Sequence, residues 1–266
     1  MIGVVHLVWA PLGADPLREF VRSYRERLAG ADHELMVILN GLTAPGAPGR
    51  ADLLRELDGT EHRLLELDRP VLDLAAYGAA AAAFEHPRLC FLNSYAVILV
   101  DGWLGHLGAA LERPDVGIAG ATGNWESQSE WRRGALLHWP QQLLALPRAR
   151  RDYPRYPNPH IRTSSFLIDR DRLLGVDLAA VRDKRDAYLV ESGFDSLTRR
   201  VQADGLRAVV VDREGRLYDP PRWPESHTFR SGAQENLLIS DNQTRAWEAA
   251  PAGLRRNLSR ASWGSG

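Results

Sequence analysis

Through about its first 120 residues the chain alternates short, nearly unbroken apolar runs with stretches of helical periodicity. The runs are Gly3–Trp9, Glu34–Leu39, His62–Leu67, Leu89–Leu92 and Val116–Ala119. Runs of this length without polar alternation read as strands buried on both faces. Between the first two, Leu17, Phe20, Val21, Tyr24 and Leu28 recur at helical spacing, with Asp15 as cap, Pro16 in the first turn and Gly30 at the end. An alanine-rich helix over Leu72–Phe84 precedes the fourth run. The alternation predicts a doubly wound, mostly parallel α/β sheet with right-handed crossovers. In such a sheet ligands bind outside the carboxyl ends of the strands.

That rule directs attention to Asn93-Ser94-Tyr95, where the fourth run stops in three side chains able to hydrogen-bond. A helix is expected next, capped by Asp101, with Trp103, Leu104, Leu107 and Leu111 on its apolar face. Residues 120–159 differ, with Trp125, Trp131, Trp139, several prolines and a basic cluster at 148–151. They read as an insertion over the sheet's carboxyl edge, with a helix over Ser129–Leu146. Its tryptophans fit ordinary packing or stacking on a sugar ring. Further on, a strand is expected over Ile161–Ile168. A helix over Tyr188–Ala203 is expected to begin around Val190-Glu191-Ser192-Gly193, and a strand to cover Leu206–Val211. The last helix falls at either Ala233–Leu238 or Asn242–Ala249, and the tail beyond Pro251 is expected to be mobile. With no internal repeat or linker, one domain is expected over residues 1–250.

Composition excludes several classes. The chain has 266 residues and a net charge of −1, which argues against a nucleic-acid partner. Lys184 is the only lysine among 33 basic residues. The single cysteine, Cys90, cannot form an internal disulfide and lies in an apolar run. Met1–Gly13 is too short and broken to span a membrane and lacks the positive start of a secretion signal. The expectation is a cytoplasmic protein without a transmembrane segment. No GxxxxGK[ST] loop, GxGxxG fingerprint, GxSxG elbow, HExxH or Cys/His cluster is present.

The order of elements from about Val4 to Gly232 resembles the GT-A fold glycosyltransferases, in particular the broad family 2-like group that uses nucleotide-sugar donors. The resemblance implies a nucleotide-binding half over about residues 1–120 and an acceptor-side half over about 121–250. It implies that Ala10-Pro11, Asn40-Gly41 and Leu72-Asp73 hold the nucleotide. It places Asn93-Ser94-Tyr95 where the family carries Asp-x-Asp, ahead of a Gly102-Trp103-Leu104 helix. The segment Arg162–Arg170 matches the acceptor-side strand, bringing in Ser164 for the acceptor and Arg162 toward the diphosphate. Glu191 matches the acidic catalytic residue at a helix start. Asp195 is the second choice, one turn along the same face. Trp125 and Trp131 become acceptor-stacking candidates, and His227 matches a late histidine that completes a metal site.

The departure lies at Asn93-Ser94-Tyr95. Asp-x-Asp supplies anionic oxygens to a hard cation, whereas Asn93 and Ser94 supply neutral ones. Mn²⁺ or Mg²⁺ remain the cofactors the resemblance suggests. The substitution fits a metal-independent enzyme, with Arg162, Arg170 or Arg230 neutralising the diphosphate, a divergent site using Asp101 or His227 with substrate phosphates, or a site that binds without catalysis. The activity implied is inverting sugar transfer to a glycan or other hydroxyl acceptor, in bacterial-type polysaccharide biosynthesis. The alternative is a non-catalytic module that binds nucleotide sugar or glycan. A nucleotidyltransferase ranks last, because Ala10–Asp15 carries no basic residue.

Overall fold

The computed structural model describes residues 1–129 and 147–264. Its centre is an eight-stranded sheet. Strands β1 (Ile2–Trp9), β2 (His33–Asn40), β3 (Arg63–Glu66), β4 (Arg88–Leu92), β6 (Val116–Gly120), β9 (Ser165–Asp169), β10 (Arg207–Val211) and β11 (Leu217–Tyr218) lie in the order β11-β10-β6-β9-β4-β1-β2-β3. Outside it, β5 (Val97–Ile98) pairs antiparallel with β12 (Ile239–Ser240). The pairs β1/β2, β1/β4, β2/β3 and β6/β10 are parallel. Strand β9 runs antiparallel between β4 and β6. The topology accounts for this reversal. After β6 the chain crosses the sheet's carboxyl edge and re-enters from there, so its next strand must run the opposite way. The expected strand Ile161–Ile168 is therefore two pieces. Strand β8 (His160–Ile161) pairs with β7 (Gly123–Asn124) beside the edge, and β9 enters the sheet.

Both faces are covered. Helix α1 (Asp15–Glu26), α2 (Arg50–Glu56) and α4 (Trp103–Leu111) bury Leu17, Phe20, Leu53, Trp103 and Leu107 on one face. On the other, α3 (Asp73–Ala83), α5 (Arg170–Leu174) and α7 (Leu197–Ala203) bury Leu74, Tyr77, Leu173, Leu197 and Val201. Cys90 is wholly buried in β4, and its thiol is pushed upward in pKa by that burial.

The start of α4 shows how a helix end is satisfied without the expected cap. Asp101 does not cap it; its carboxylate accepts from Leu28 N–H at 2.9 Å. Gly102, at φ 74°, precedes the helix. The free N–H groups of Gly102, Leu104 and Gly105 donate to the carbonyls of Leu28 and Ala29 at 2.7–3.0 Å. A side chain at Gly105 would lie 2.6 Å from the Gly30 carbonyl oxygen, so the loop after α1 and the start of α4 require glycine to meet. Asp15 likewise sits inside α1, with Ala14 at the cap position.

Two further expectations differ, and one choice left open is settled. The helix expected over Tyr188–Ala203 is two, α6 (Lys184–Ser192) and α7, separated at Gly193. A Cβ at Gly193 would meet the Leu189 carbonyl oxygen at 2.5 Å. Of the two candidates for the last helix, α8 (Asn242–Glu248) forms. The stretch expected to be a mobile tail is α9 (Ala252–Trp263). The Trp263 ring nitrogen donates to the Phe229 carbonyl at 2.7 Å, which docks α9 on the body of the domain. The helix expected over Ser129–Leu146 lies almost wholly outside the described residues, as do Trp131 and Trp139.

Candidate active site

A cleft of about 570 Å³ opens at the carboxyl edge of β1, β2 and β4, where β9 begins. Asn40, Asp73, Asn93, Ser94, Tyr95, Arg162, Ser164 and Glu191 all line it. The strand-end rule thus brings together most of the residues expected from sequence. Several of them, however, are occupied in holding the cleft's walls.

Asn40 is buried at the end of β2. Its amide donates to the Val71 carbonyl at 2.8 Å and its side-chain oxygen accepts from Val71 N–H at 3.1 Å. This paired contact fixes the segment leading into α3. Asn93 Oδ1 accepts from Tyr95 N–H at 3.1 Å, forming a local turn. Ser94 Oγ accepts from Trp9 N–H at 3.1 Å and ties the ends of β1 and β4 together. Arg162 forms a buried ion pair with Asp241 at 2.8 Å and donates to Thr122 Oγ1 at 3.2 Å. Its guanidinium lies 4.1 Å from the Phe229 ring centre. Burial would raise the Asp241 carboxyl. The Arg162 charge and the hydrogen bonds from Thr244 and Ser164 outweigh it and hold the carboxyl below its ordinary range.

Two carboxylates, Glu191 and Asp73, also line the cleft. Glu191 stands in the last turn of α6, not at a helix start as expected. The negative end of the helix dipole disfavours a carboxylate there, so the dipole does not account for it. Thr163 compensates: its N–H and hydroxyl both donate to Glu191 Oε1, at 2.8 and 3.1 Å. Among the described residues Glu191 Oε2 has no hydrogen-bond partner. Asp73 begins α3 and accepts from Leu74 N–H at 3.0 Å. Burial raises the Asp73 pKa, and the Glu191 charge raises it further. One turn along α3, the buried Tyr77 hydroxyl has no hydrogen-bond partner among the described residues.

Other expected residues lie elsewhere. Ala10 is buried in the core, because the 3₁₀ turn Ala10–Leu12 rotates it inward. Pro11 does not line the cleft either; the neighbours Trp9 and Leu12 do. Asp195 is exposed, paired with Arg200, and separated from Glu191 by the break at Gly193, so the two do not share a helix face. The Trp125 ring nitrogen donates to the Pro220 carbonyl at 2.9 Å and its ring packs edge-on against Trp263 at 5.4 Å. That tryptophan joins the insertion to α9 and does not face the cleft. His227 bonds Glu235 at 2.6 Å and is not in the cleft. Arg170 donates to the Ala81 carbonyl, near the opposite edge of the sheet, and Arg230 bonds Ser262 and Gln243.

The residues missed from sequence are Trp9, Leu12, Thr163, Lys184, Tyr188, Asn242 and Gln243. The signal for the helical ones was Lys184, Ala187, Tyr188 and Glu191 at i, i+3, i+4 and i+7, behind the cap residue Asp183. Asp183 accepts from Asp186 N–H at 2.9 Å. Placing the helix start near Val190 concealed that stripe.

The donor set does not fit a hard divalent cation. The side-chain oxygens of Asn93 and Ser94 are neutral and already accept from backbone N–H groups. Among the described residues no group of three or more His, Cys, Asp or Glu side chains could hold a metal ion.

This sheet order, with a cleft where its carboxyl edge meets the inserted antiparallel strand, is that of the GT-A fold. The solved structure of the mannosyltransferase PcManGT from Pyrobaculum calidifontis, in complex with GDP-Man and Mn²⁺, matches with a TM-score of 0.51 and 14% identity. That match covers 98% of this chain and 68% of PcManGT. Weaker likenesses are to TarS of S. aureus in complex with UDP-GlcNAc (TM-score 0.36, 11% identity, 45% of this chain and 33% of that one) and to glucosyl-3-phosphoglycerate synthase of Mycobacterium tuberculosis in complex with Mn²⁺ and UDP (TM-score 0.37, 14% identity, 65% and 57%). This chain therefore spans a third of TarS and just over half of the synthase. No family model and no curated protein matches the sequence. Among the described residues no helix is long and apolar enough to cross a membrane.

Proposed function

We propose that the cleft binds a nucleotide-sugar donor and that the chain transfers the sugar, with inversion, to a hydroxyl of a glycan or other acceptor. The observation that carries this reading is Glu191: a carboxylate in a helix's last turn, fixed through one oxygen by Thr163, with the other unengaged at a strand-end cleft. In the reaction Glu191 Oε2 takes the acceptor hydroxyl's proton as that oxygen attacks the anomeric carbon. The bond from that carbon to the diphosphate breaks, and the nucleoside diphosphate leaves with the electron pair. Trp9, Leu12, Val71 and Leu72 offer the nucleoside an apolar wall next to the segment that Asn40 fixes. Fixing Glu191 through Oε1 reduces the orientational freedom lost in reaching the transition state.

The donor set at Asn93-Ser94-Tyr95 supports transfer that does not depend on a divalent ion. Glu191→Gln tests the reading, because it keeps a side-chain oxygen for Thr163 and removes the base. Transfer should fall by a factor of about 10²–10⁴, while donor affinity and melting temperature stay close to wild type. Transfer within about threefold of wild type would exclude Glu191 as the base. The same neutral donor set favours a second reading, a non-catalytic nucleotide-sugar-binding module. Donor binding by wild type with neither transfer nor donor hydrolysis would select it.

A further inference from the structure

Helix α6 turns one stripe toward the cleft, formed by Lys184, Ala187, Tyr188 and Glu191. At a rise of about 1.5 Å per residue, Tyr188 lies roughly 4.5 Å along the axis from Glu191, and Lys184 roughly 10 Å. Tyr188 is 44% exposed although it lines a cleft, so its ring faces open space beside the base. A large, half-exposed aromatic at a cleft wall offers a flat apolar surface with a polar tip. Of the two tryptophans expected to stack on acceptor, Trp125 does not supply that surface. Trp125 is held by Pro220 and Trp263, and Trp131 lies outside the described residues.

Lys184 is the chain's only lysine. Among the described residues the other cation lining the cleft, Arg162, has its charge taken up by Asp241. Lys184 has no carboxylate within ion-pair distance among the described residues, although α6 carries acidic neighbours. Asp186 pairs with Arg182, and Asp183 caps the helix. The mobile, strongly hydrated ammonium of a lysine at a cleft rim suits a small anionic group.

We propose that Tyr188 and Lys184 form the acceptor subsite, and that the acceptor is an acidic saccharide. Its ring lies on Tyr188, its attacking hydroxyl reaches Glu191, and its carboxylate or phosphate reaches Lys184. The roughly 10 Å between Lys184 and Glu191 spans a sugar ring and its substituent while keeping the acceptor's charge away from the carboxylates of Glu191 and Asp73. This inference rests on the transferase reading above and adds the substrate class.

The test uses the full chain with UDP-glucose and GDP-mannose as donors. Methyl glucoside, methyl glucuronide and glucose 6-phosphate are the neutral, carboxylate and phosphate acceptors. Product mass and nucleoside diphosphate release are read separately. Wild type should favour one or both acidic acceptors over the neutral one by about fivefold in KM, the upper end of what an exposed ion pair supplies. Lys184→Gln should erase that preference. Tyr188→Ala should raise KM for every acceptor by about tenfold, equivalent to ~1.4 kcal/mol, and Tyr188→Phe should restore it. Phe194→Ala removes an exposed aromatic that does not line the cleft and should change no acceptor KM. Equal use of neutral and acidic acceptors overturns the charge assignment, and an unchanged acceptor KM in Tyr188→Ala overturns the platform. A rise in donor KM in Lys184→Gln reassigns the lysine to the diphosphate. Wild type that binds neither donor overturns the transferase reading and the subsite with it.

Discussion

His6 gives this fold a built-in acid sensitivity whose size follows from its position. It lies in the middle of β1, wholly buried, its ring stacked on Phe20 at 3.6 Å and 5° between planes. Both ring nitrogens lack a hydrogen-bond partner among the described residues. Burial lowers the His6 pKa from 6.5 to about 3. In the unfolded chain the imidazole takes a proton as pH falls through about 6.5, whereas in the folded protein it stays neutral to about 3. The unfolded state therefore binds more protons across that window. Stability is fully present above pH 6.5, falls as pH drops toward 3, and levels off below it. At pH 5, one and a half pH units below the unfolded value, the loss is about 2 kcal/mol at ~1.36 kcal/mol per pH unit.

Leucine is close to histidine in volume and carries no titratable group, so His6→Leu removes this term. It also removes two unpartnered polar atoms, each costing about 1–3 kcal/mol when buried, against the loss of the Phe20 stack. Urea unfolding at pH 5, 6, 7 and 8, compared at constant m-value, measures the effect. The variant should lose about 2 kcal/mol less than wild type between pH 8 and pH 5. His160, also buried with a lowered pKa, is common to both proteins and cancels. Parallel stability profiles, within about 0.5 kcal/mol, would refute the assignment of a buried neutral imidazole.

Three further outcomes are expected. If transfer proceeds without a divalent ion, EDTA should leave donor turnover within about twofold and Mn²⁺ should not raise it, as read by nucleoside diphosphate release; loss with EDTA and recovery with Mn²⁺ alone would contradict the donor-set argument. Arg162→Met should destabilise by about 3–5 kcal/mol by leaving Asp241 buried and unpaired, and chemical denaturation reads it. Trp125→Ala should lower stability by about 2–3 kcal/mol through lost packing on Trp263, leaving acceptor KM as in wild type, whereas Asp195→Asn should change neither stability by more than ~1 kcal/mol nor transfer.

The sheet was legible because burial on both faces leaves a signal in its central strands. Val4, Val5, Met36, Val37, Leu89 and Phe91 are wholly buried, and no polar alternation interrupts them. The direction of β9 was not legible. Ser165–Asp169 is as apolar as a parallel strand, and only its entry into the sheet from the carboxyl edge, after β8, makes it antiparallel. The tail was misread for another reason. Arginine and serine on α9 suggest solvent, yet Trp263 bonds Phe229, Arg255 and Ser259 bond Trp247, and Ser262 is wholly buried.

The site divides along the same line. Strand ends were found by position, but position does not say what a polar side chain does there. Asn40, Asn93 and Ser94 hold Val71, Tyr95 and Trp9, so neutral residues at a strand end are sufficient for a wall and need not mark a damaged metal site. Glu191 and Asp195, four residues apart, looked equivalent while one helix was assumed. Gly193 ends α6 between them, turning Asp195 outward to Arg200 and leaving Glu191 on the cleft. The feature that singles out Glu191 is its conflict with the helix dipole, maintained by the two Thr163 donors. The proposed base role uses this arrangement: Oε1 is committed to Thr163, and Oε2 has no hydrogen-bond partner among the described residues.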